Sequence, residues 1–360
     1  MHETGVSEAW RLERYQPGLE TGVLELFTLV FGKARSLEHW HWQFRDNPYG
    51  GPFVSTVRRA TDGLVVASYS VMPLQLNFAG RAVRACQSVD TAVHPEFRGQ
   101  RMFEKTASDC YRWCADEGLQ AVVGFPNANS YPGFVRSLDW KRIVFPTQHT
   151  LRLSLATGLR RVLRMGVLAA FVDVFHRARV RLALAMRHAF LRRLVRRDVA
   201  FATASEVPDG YEALWNAWRA QEVLSLWKDS AYFRWRYDRN PDRRFEYLYL
   251  ADAGGISALA VATEIDGSLV LCELMVRDRD VAMGRLLVNR IAVRAAQRGL
   301  RAVTFLAHDC GFFADVLAGF EHTLSYTNVF GGRAFVAGAL AETLPLAGNW
   351  TITFGDGDFV

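Results

Sequence analysis

The sequence lacks any run of about 18 apolar residues free of charge, the minimum for a membrane-spanning helix, so none is expected. It opens MHETGVSEAWRLERY, polar and charged, with neither the apolar stretch nor the cleavage site of a secretory signal. Cysteine is scarce: five residues, Cys86, Cys110, Cys114, Cys272 and Cys310, odd in number and scattered. That argues against a disulfide framework and fits a reducing cytoplasm. Cys110 and Cys114 stand four apart on an expected helix. They have no second pair or close histidines, so they are read as core rather than as a zinc site. Disorder is not indicated, because half of the 360 residues are apolar and two ordinary domains could each bury a core.

Acidic residues are nearly missing from one stretch. Between Leu151 and Asp198 stand twelve arginines and two acids, Asp173 and Asp198, a local charge of +10 in a chain of net +6. The other residues therefore sum to −4, and a chain-wide nucleic-acid role is not implied. Leu159, Val162, Leu163, Val167, Ala170, Phe171, Val174 and Phe175 recur at helical spacing, and a second, more basic helix is expected over 177–196. The pair reads as a helical hairpin packed on the domains. The alternative is a helix lying on an anionic membrane through 151–198. Nucleic acid is disfavoured, since aromatics do not interleave with the arginines.

What the sequence does have is a repeat. HWHWQFRDNP at 39–48 returns as YFRWRYDRNP at 232–241, with Trp42, Phe44, Asn47 and Pro48 matched by Trp235, Tyr237, Asn240 and Pro241. GLQAVVGF at 118–125 returns as GLRAVTFL at 299–306, and FVRSLDW at 134–140 is answered by FADVLAGF at 313–320. The offset falls from 193 residues at Asn47/Asn240 to 181 at Gly118/Gly299, so the second copy is shorter between these landmarks. Copy one reads as helices near 20–31 and 36–45, strands near 53–60, 64–72, 74–78 and 85–93, a loop at 94–100, a helix at 101–117, a strand at 119–125, a helix at 130–138 and a final strand at 140–153. Copy two repeats these elements from about 205 to 336. A strand–loop–helix–strand crossover among mixed elements means an α/β sheet. The expected division is 1–150, a basic helical linker 151–200, and 201–360.

The stretch SVDTAVHPEFRGQRMFEKTASDCYRWC at 88–114 is a strand, a proline-bent loop and a helix. Arg98 and Gly99 fall at the loop-to-helix junction, where free backbone N–H groups and the positive helix end favour phosphate. Glycine lets the backbone approach an anion, and Arg98 and Arg101 add charge. Val93, Pro95, Arg98 and Gly99 in this setting resemble the coenzyme-binding motif of the GNAT acyltransferases. PNANSYPGFVRSLDW at 126–140 resembles that family's last helix. The resemblance covers about 35–150 well and 205–335 more weakly, as a tandem GNAT protein: two mixed α/β sheets flanked by helices and joined by an arginine-rich segment.

The resemblance implies acyl-coenzyme A, most simply acetyl-coenzyme A, as co-substrate without a metal. The donor site would involve Thr91, Val93, Arg98, Gly99, Gln100, Arg101, Met102 and Phe103, with Asn127 and Asn129 reaching pantetheine amides or capping the following helix. Arg101 and Phe103 depart from the small residues usual in this loop. Such enzymes attack the thioester directly with an amine, whose proton a base must take. Asp90, in an otherwise apolar strand, is the candidate base, its pKa raised by burial; the bland alternative is a structural bond to a nearby loop. His94 is a second candidate, and Gln87 only an orienting group. The family's usual acid position holds Val135, so Tyr131, one turn earlier, is the candidate proton donor. Asp139 stands where the family has a left-handed glycine. Copy two lacks the Arg-Gly pair, and Asp278 and Asp280 would repel a diphosphate, so it is expected to bury copy one's sheet edge or shape an acceptor cleft. The acceptor is expected to be a primary amine, small or part of a polysaccharide precursor. Alternatives are a tandem-GNAT transferase using aminoacyl-tRNA, which would not need the Arg-Gly loop, and a non-catalytic scaffold at the membrane surface.

Overall fold

A helix over Glu20–Phe31 (α1) stops at Gly32, whose left-handed backbone sends its N–H to Thr28 O. Ser36 caps the next helix, accepting from His39 N at 3.0 Å. That helix runs Leu37–Trp40 (α2) and widens into a π-turn at His41–Arg45. The second copy does the same: Asp229 caps Ser230–Phe233, which runs into a π-turn at Arg234–Asp238. These two π-turns are the repeated phrase, and they pack on each other. Trp42 Nε1 donates to Trp235 O and Trp235 Nε1 to Trp42 O, both at 2.7 Å, with the rings stacked 5.4 Å apart. Such reciprocal bonds are what a twofold-related pair makes.

The molecule, seen in a computed structural model, is described over residues 10–155, 166–309, 311–324 and 329–357. The first half supplies strands β1 (Trp10–Arg14), β2 (Phe53–Arg59), β3 (Val65–Phe78), β4 (Arg81–Val93), β5 (Ala121–Gly124), β6 (Lys141–Val144) and β7 (Thr147–Arg152). The second supplies β8 (Ala200–Ala204), β9 (Leu224–Leu226), β10 (Glu246–Asp252), β11 (Gly255–Ile265), β12 (Ser268–Val276), β13 (Ala302–His308), β14 (Glu321–Leu324), β15 (Phe330–Ala334) and β16 (Ile352–Thr353). They form two mixed sheets of eight strands. One runs β1-β2-β3-β4-β5-β15-β6 with β9 beside β3; the other runs β14-β7-β13-β12-β11-β10-β8 with β16 beside β13.

The halves exchange strands. The stretch read as one strand, 140–153, is two: β6 stays in the first sheet and β7 crosses into the second, between β13 and β14. In return β15 enters the first sheet between β5 and β6. Sheet membership thus crosses the linear division at 150. A Cβ on Gly332 would lie 2.5 Å from Val122 O, and one on Gly331 2.8 Å from Lys141 O, so a Gly-Gly pair lets β15 slot in.

Three other expectations change. Strands 64–72 and 74–78 are one, β3, despite Pro73. On one edge β2 pairs only as far as Val71 and β9 begins at Leu76, so Pro73 sits in a gap where its missing N–H costs no bond. The helical hairpin is instead one helix over Gly166–Leu194 (α5), without a break near 176; residues 159–165 of the expected first helix lie outside the described residues. Finally, the shortening of copy two falls largely in its central hairpin, where β11 and β12 have 11 and 9 residues against 14 and 13 in β3 and β4.

Candidate active site

β4 and β5 pair in parallel only at Cys86–Val122 and Gln87–Val123, then part. A cavity of about 720 Å³ opens where they separate. One wall is α1 with the loop after it, including Phe27, Phe31 and Arg35; the other is Phe125, Pro126 and Asn127 beyond β5. Asp90, Thr91, Val93, Arg98, Asn127 and Asn129 all line this space. At its rim the chain turns through Gly99 (φ 79°) into the helix Met102–Asp116 (α3). Among the described residues the N–H groups of Gly99, Gln100 and Arg101 meet no acceptor, and the first turn of α3 adds the unpaired amides that any helix start has. Gly99 is needed for its positive φ, since a Cβ there would touch nothing within 4 Å.

Other expected site residues lie elsewhere. Arg101 caps α3 in the left-handed conformation and turns its side chain, 77% exposed, to Glu104 at 2.5 Å; it neither plugs the turn nor lines the cavity. Met102 is buried against Val57, Val66 and Ala67, and Phe103 packs edge-on to Phe134 under Gly133. Gln100 is exposed at the turn. Tyr131, half-buried, opens the short helix Tyr131–Ser137 (α4) and is not among the cavity's lining residues; Val135 is exposed. Asn127 Oδ1 accepts from the N–H groups of Asn129 and Ser130 at 3.0 Å, a turn just ahead of α4, whose cap residue Ser130 makes no side-chain cap bond. His94 Nδ1 accepts from Glu96 N, fixing the turn at 95–97. Gln87 is buried in the sheet.

Asp90 lies at a bulge in β4 with φ 47°, a strained backbone for a non-glycine residue. From the sequence two readings are open, a base with its pKa raised by burial or a structural bond to a nearby loop; the structure pairs Asp90 with the guanidinium of Arg35, in the loop after α1, which also donates to Gln43 Oε1 at 3.1 Å. Phe27 lies 4.4 Å from the guanidinium carbon of Arg35. On the other face Ser88, also in the cavity wall, begins a bonded chain: Tyr69 donates to Ser88 at 2.7 Å, and the Tyr69 and Tyr111 hydroxyls meet at 2.6 Å. Burial pushes both phenols well above their ordinary range.

Sequence reading missed Arg35 and the aromatic wall of α1. A signal for Arg35 existed: it immediately precedes the helix cap Ser36, as Lys228 precedes Asp229 in copy two, at the same offset of 193.

In the second half the corresponding space is filled. β12 and β13 part after Leu271–Phe305, and β16 from the C-terminal segment pairs with β13 at Ala307 and His308. At the start of its long helix, Asp280 accepts from Met283 N, so a carboxylate already occupies that helix end.

Residues 11–143 match the acetyltransferase (GNAT) domain family. Solved structures with this fold include GCN5-related N-acetyltransferases from Kribbella flavida (16% identity, TM-score 0.58, 90% of this chain and 71% of that one) and Anabaena variabilis ATCC 29413 (9%, 0.60, 90% and 72%). Another is a probable N-acyltransferase from Enterococcus faecalis V583 (10%, 0.59, 90% and 72%). No curated protein matches the chain. Residues 11–143 thus carry the match to a GNAT-type acetyltransferase domain, within a chain of two mixed sheets that shares the fold of these structures. Among the described residues no helix is long and apolar enough to cross a membrane.

Proposed function

We propose that the chain transfers an acyl group, acetyl in the first instance, from coenzyme A to a primary amine, with the first half binding the donor. The observation carrying this reading is that, among the described residues, the amides of Gly99, Gln100 and Arg101 meet no acceptor, beside Arg98, at the mouth of a cavity that runs between parted strands to Asp90. Amides at a helix start, with an arginine, suit a diphosphate. The parted strands offer unpaired backbone to an extended amide chain. When bound, the coenzyme supplies a thioester for direct attack. Asp90 takes the proton from the attacking amine, and Arg35 holds its carboxylate in place. The second half, its own cleft filled, braces the first through the exchanged strands and binds no coenzyme.

Thermal denaturation with acetyl-coenzyme A tests the donor. At about 100 times the dissociation constant the ligand should stabilise the protein by about 2.7 kcal/mol; an unmoved melting point at millimolar ligand favours a scaffold or an aminoacyl-tRNA donor. Asp90→Asn should keep this shift yet lower kcat by about 100-fold or more. Full turnover in that variant would remove Asp90 as base.

We further propose that α5 rests on an anionic membrane. Phe171, Val174, Phe175, Leu182, Met186 and Phe190 are each 60–63% exposed along it. Its sole acid, Asp173, is turned inward to Arg177 and Ser154, while Arg179 and Arg193 are exposed. An apolar face with arginines and no exposed acid suits lipid of negative charge.

A further inference from the structure

One set of buried polar groups in the first half forms a chain that ends at the cavity. Trp140, Tyr111 and Tyr69 are buried together in an apolar cluster under α3. Burying such groups costs free energy unless each finds a partner, and here each does. Trp140 Nε1 donates to the Tyr111 hydroxyl at 2.9 Å, the Tyr111 and Tyr69 hydroxyls meet at 2.6 Å, and Tyr69 donates to Ser88 Oγ at 2.7 Å.

The buried end of this chain sets the direction of every proton in it. An indole N–H donates and cannot accept. Tyr111 accepts from it and, among the described residues, has Tyr69 as the acceptor for its own proton. Tyr69 then passes its proton to Ser88. Reversing either link would leave a buried hydroxyl hydrogen without an acceptor, the costlier arrangement. Burial holds both phenols well above their ordinary range, so they keep these protons at neutral pH and above.

Ser88 ends the chain with its own proton still to donate. Among the described residues its hydroxyl makes one bond, the one it accepts from Tyr69. It is half-buried and lines the cavity. It follows Gln87, the last residue of β4 paired with β5, so it stands where the strands begin to part. Gly124 clears this corner, since a Cβ there would lie 3.2 Å from both Ser88 O and Trp140 Cη2. The Gly99 turn lies at the cavity's rim, and Asp90 follows Ser88 at the bulge of β4, facing Arg35. On α4, neither Tyr131 nor Val135 lines the cavity.

We infer that the Ser88 hydroxyl is the hydrogen-bond donor to the sulfur of the acyl donor as the thioester breaks, with Tyr69, Tyr111 and Trp140 orienting its proton. This rests on the acyltransfer reading and assigns a further catalytic residue to the same site. An arm that enters at the Gly99 turn and follows the parted strands ends at Ser88. Asp90 takes the amine's proton as nitrogen bonds to the carbonyl carbon. The electron pair of the broken carbon–sulfur bond stays on sulfur, and Ser88 shares its proton with that charge without giving it up. Water protonates the thiolate after release. A donor oriented beforehand has no reorganisation to undergo when the charge appears.

Free coenzyme A is the probe, because its thiolate absorbs in the ultraviolet and can be titrated while bound, against the protein alone as blank. Ser88→Ala should raise the pKa of the bound thiol by about one unit, a tenfold loss, the size of a hydrogen bond to a charged group. Ser88→Thr keeps the hydroxyl and should stay near the unaltered protein. Tyr69→Phe, which removes the orienting bond, should raise the pKa by less than Ser88→Ala. Asp90, Arg35 and Arg98 line the same cavity and are common to all four proteins, so the differences report the Ser88 chain. With acetyl-coenzyme A and a primary amine that is turned over, Ser88→Ala should lower kcat about tenfold with KM for the ester unchanged. An equal bound-thiol pKa in Ser88→Ala and the unaltered protein overturns the inference, as does an undiminished kcat. Should Ser88→Ala not fold, Tyr69→Phe decides, and an unmoved pKa there overturns it. Absence of any melting shift with coenzyme A in the unaltered protein would instead defeat the acyltransfer reading itself.

Discussion

Arg101 takes a conformation normally left to glycine, φ 60°, at the start of α3. For an L-residue that costs about 1–2 kcal/mol, so the turn imposes the backbone and tolerates the side chain by sending it to Glu104. The departure from a glycine-rich loop therefore leaves the turn's geometry standing, with its amides clear of the guanidinium. Gly332 is the opposite case, where any side chain would strike backbone. Gly332→Ala places a Cβ against Val122 O and within 3.0 Å of Val123 Cγ1. It should destabilise the protein by about 1–3 kcal/mol, the usual penalty of overpacking, read as a lower midpoint in urea. An unchanged midpoint would mean that β15 is not seated between β5 and β6. Of the chemistry at this scale, Asp90, Arg98 and Gly99 were legible because each breaks a local pattern: a charge in an apolar strand, and an Arg-Gly pair after proline. Arg35 breaks none; its one sequence signal is its match to Lys228 across the repeat, and its contact with Asp90 shows what that position does.

Helices and strands were mostly visible from periodicity, and the misreadings have specific causes. Pro73 looks like a break, because proline in a strand removes a ladder bond; no pattern in the sequence says that neighbouring strands leave a gap there. The length of α5 was hidden for a different reason. Its apolar residues do not keep to one inward stripe, and several of the largest face solvent. If that outer face lies on lipid, the protein should co-sediment with vesicles containing phosphatidylserine and not with neutral phosphatidylcholine vesicles. Phe175→Glu with Phe190→Glu should abolish the association. Raising the salt should weaken it, since charges at the surface are screened within about 8 Å at physiological ionic strength. Co-sedimentation with neither vesicle would dismiss the membrane.

For the whole molecule the exchange of β7 and β15 ties the halves together, and it buries His149 beside an exposed histidine, His322. His149 on β7 is 4% exposed, and its Nδ1 lies 3.0 Å from Nδ1 of His322 on β14. Burial, then the neighbouring imidazole, lowers the pKa of His149 from 6.5 to about 4. The unfolded chain therefore binds a proton in that interval that the folded chain refuses, and stability rises with pH. This contribution is present above about 6.5 and is lost as the pH falls toward 4. The melting temperature should drop over that window, and His149→Gln should flatten the drop. An equal slope in the variant would show that other groups govern the acid limb.

The sequence by itself determined the α/β character, the duplication and the position of the Arg98–Gly99 turn, because each rests on local signals: the spacing of apolar residues, turn chemistry and a repeated phrase. Only the tertiary structure decided which half keeps an open cleft. That choice depends on where the C-terminal segment docks and on the parting of β4 and β5, more than two hundred residues before it. Two ion pairs, Arg35–Asp90 and Lys228–Glu273, each a basic and an acidic residue far apart in the chain, end in different circumstances. Asp356 and Thr353 join the second; the first lines a cavity. Packing distant segments against one another sets that difference, and no local pattern encodes it.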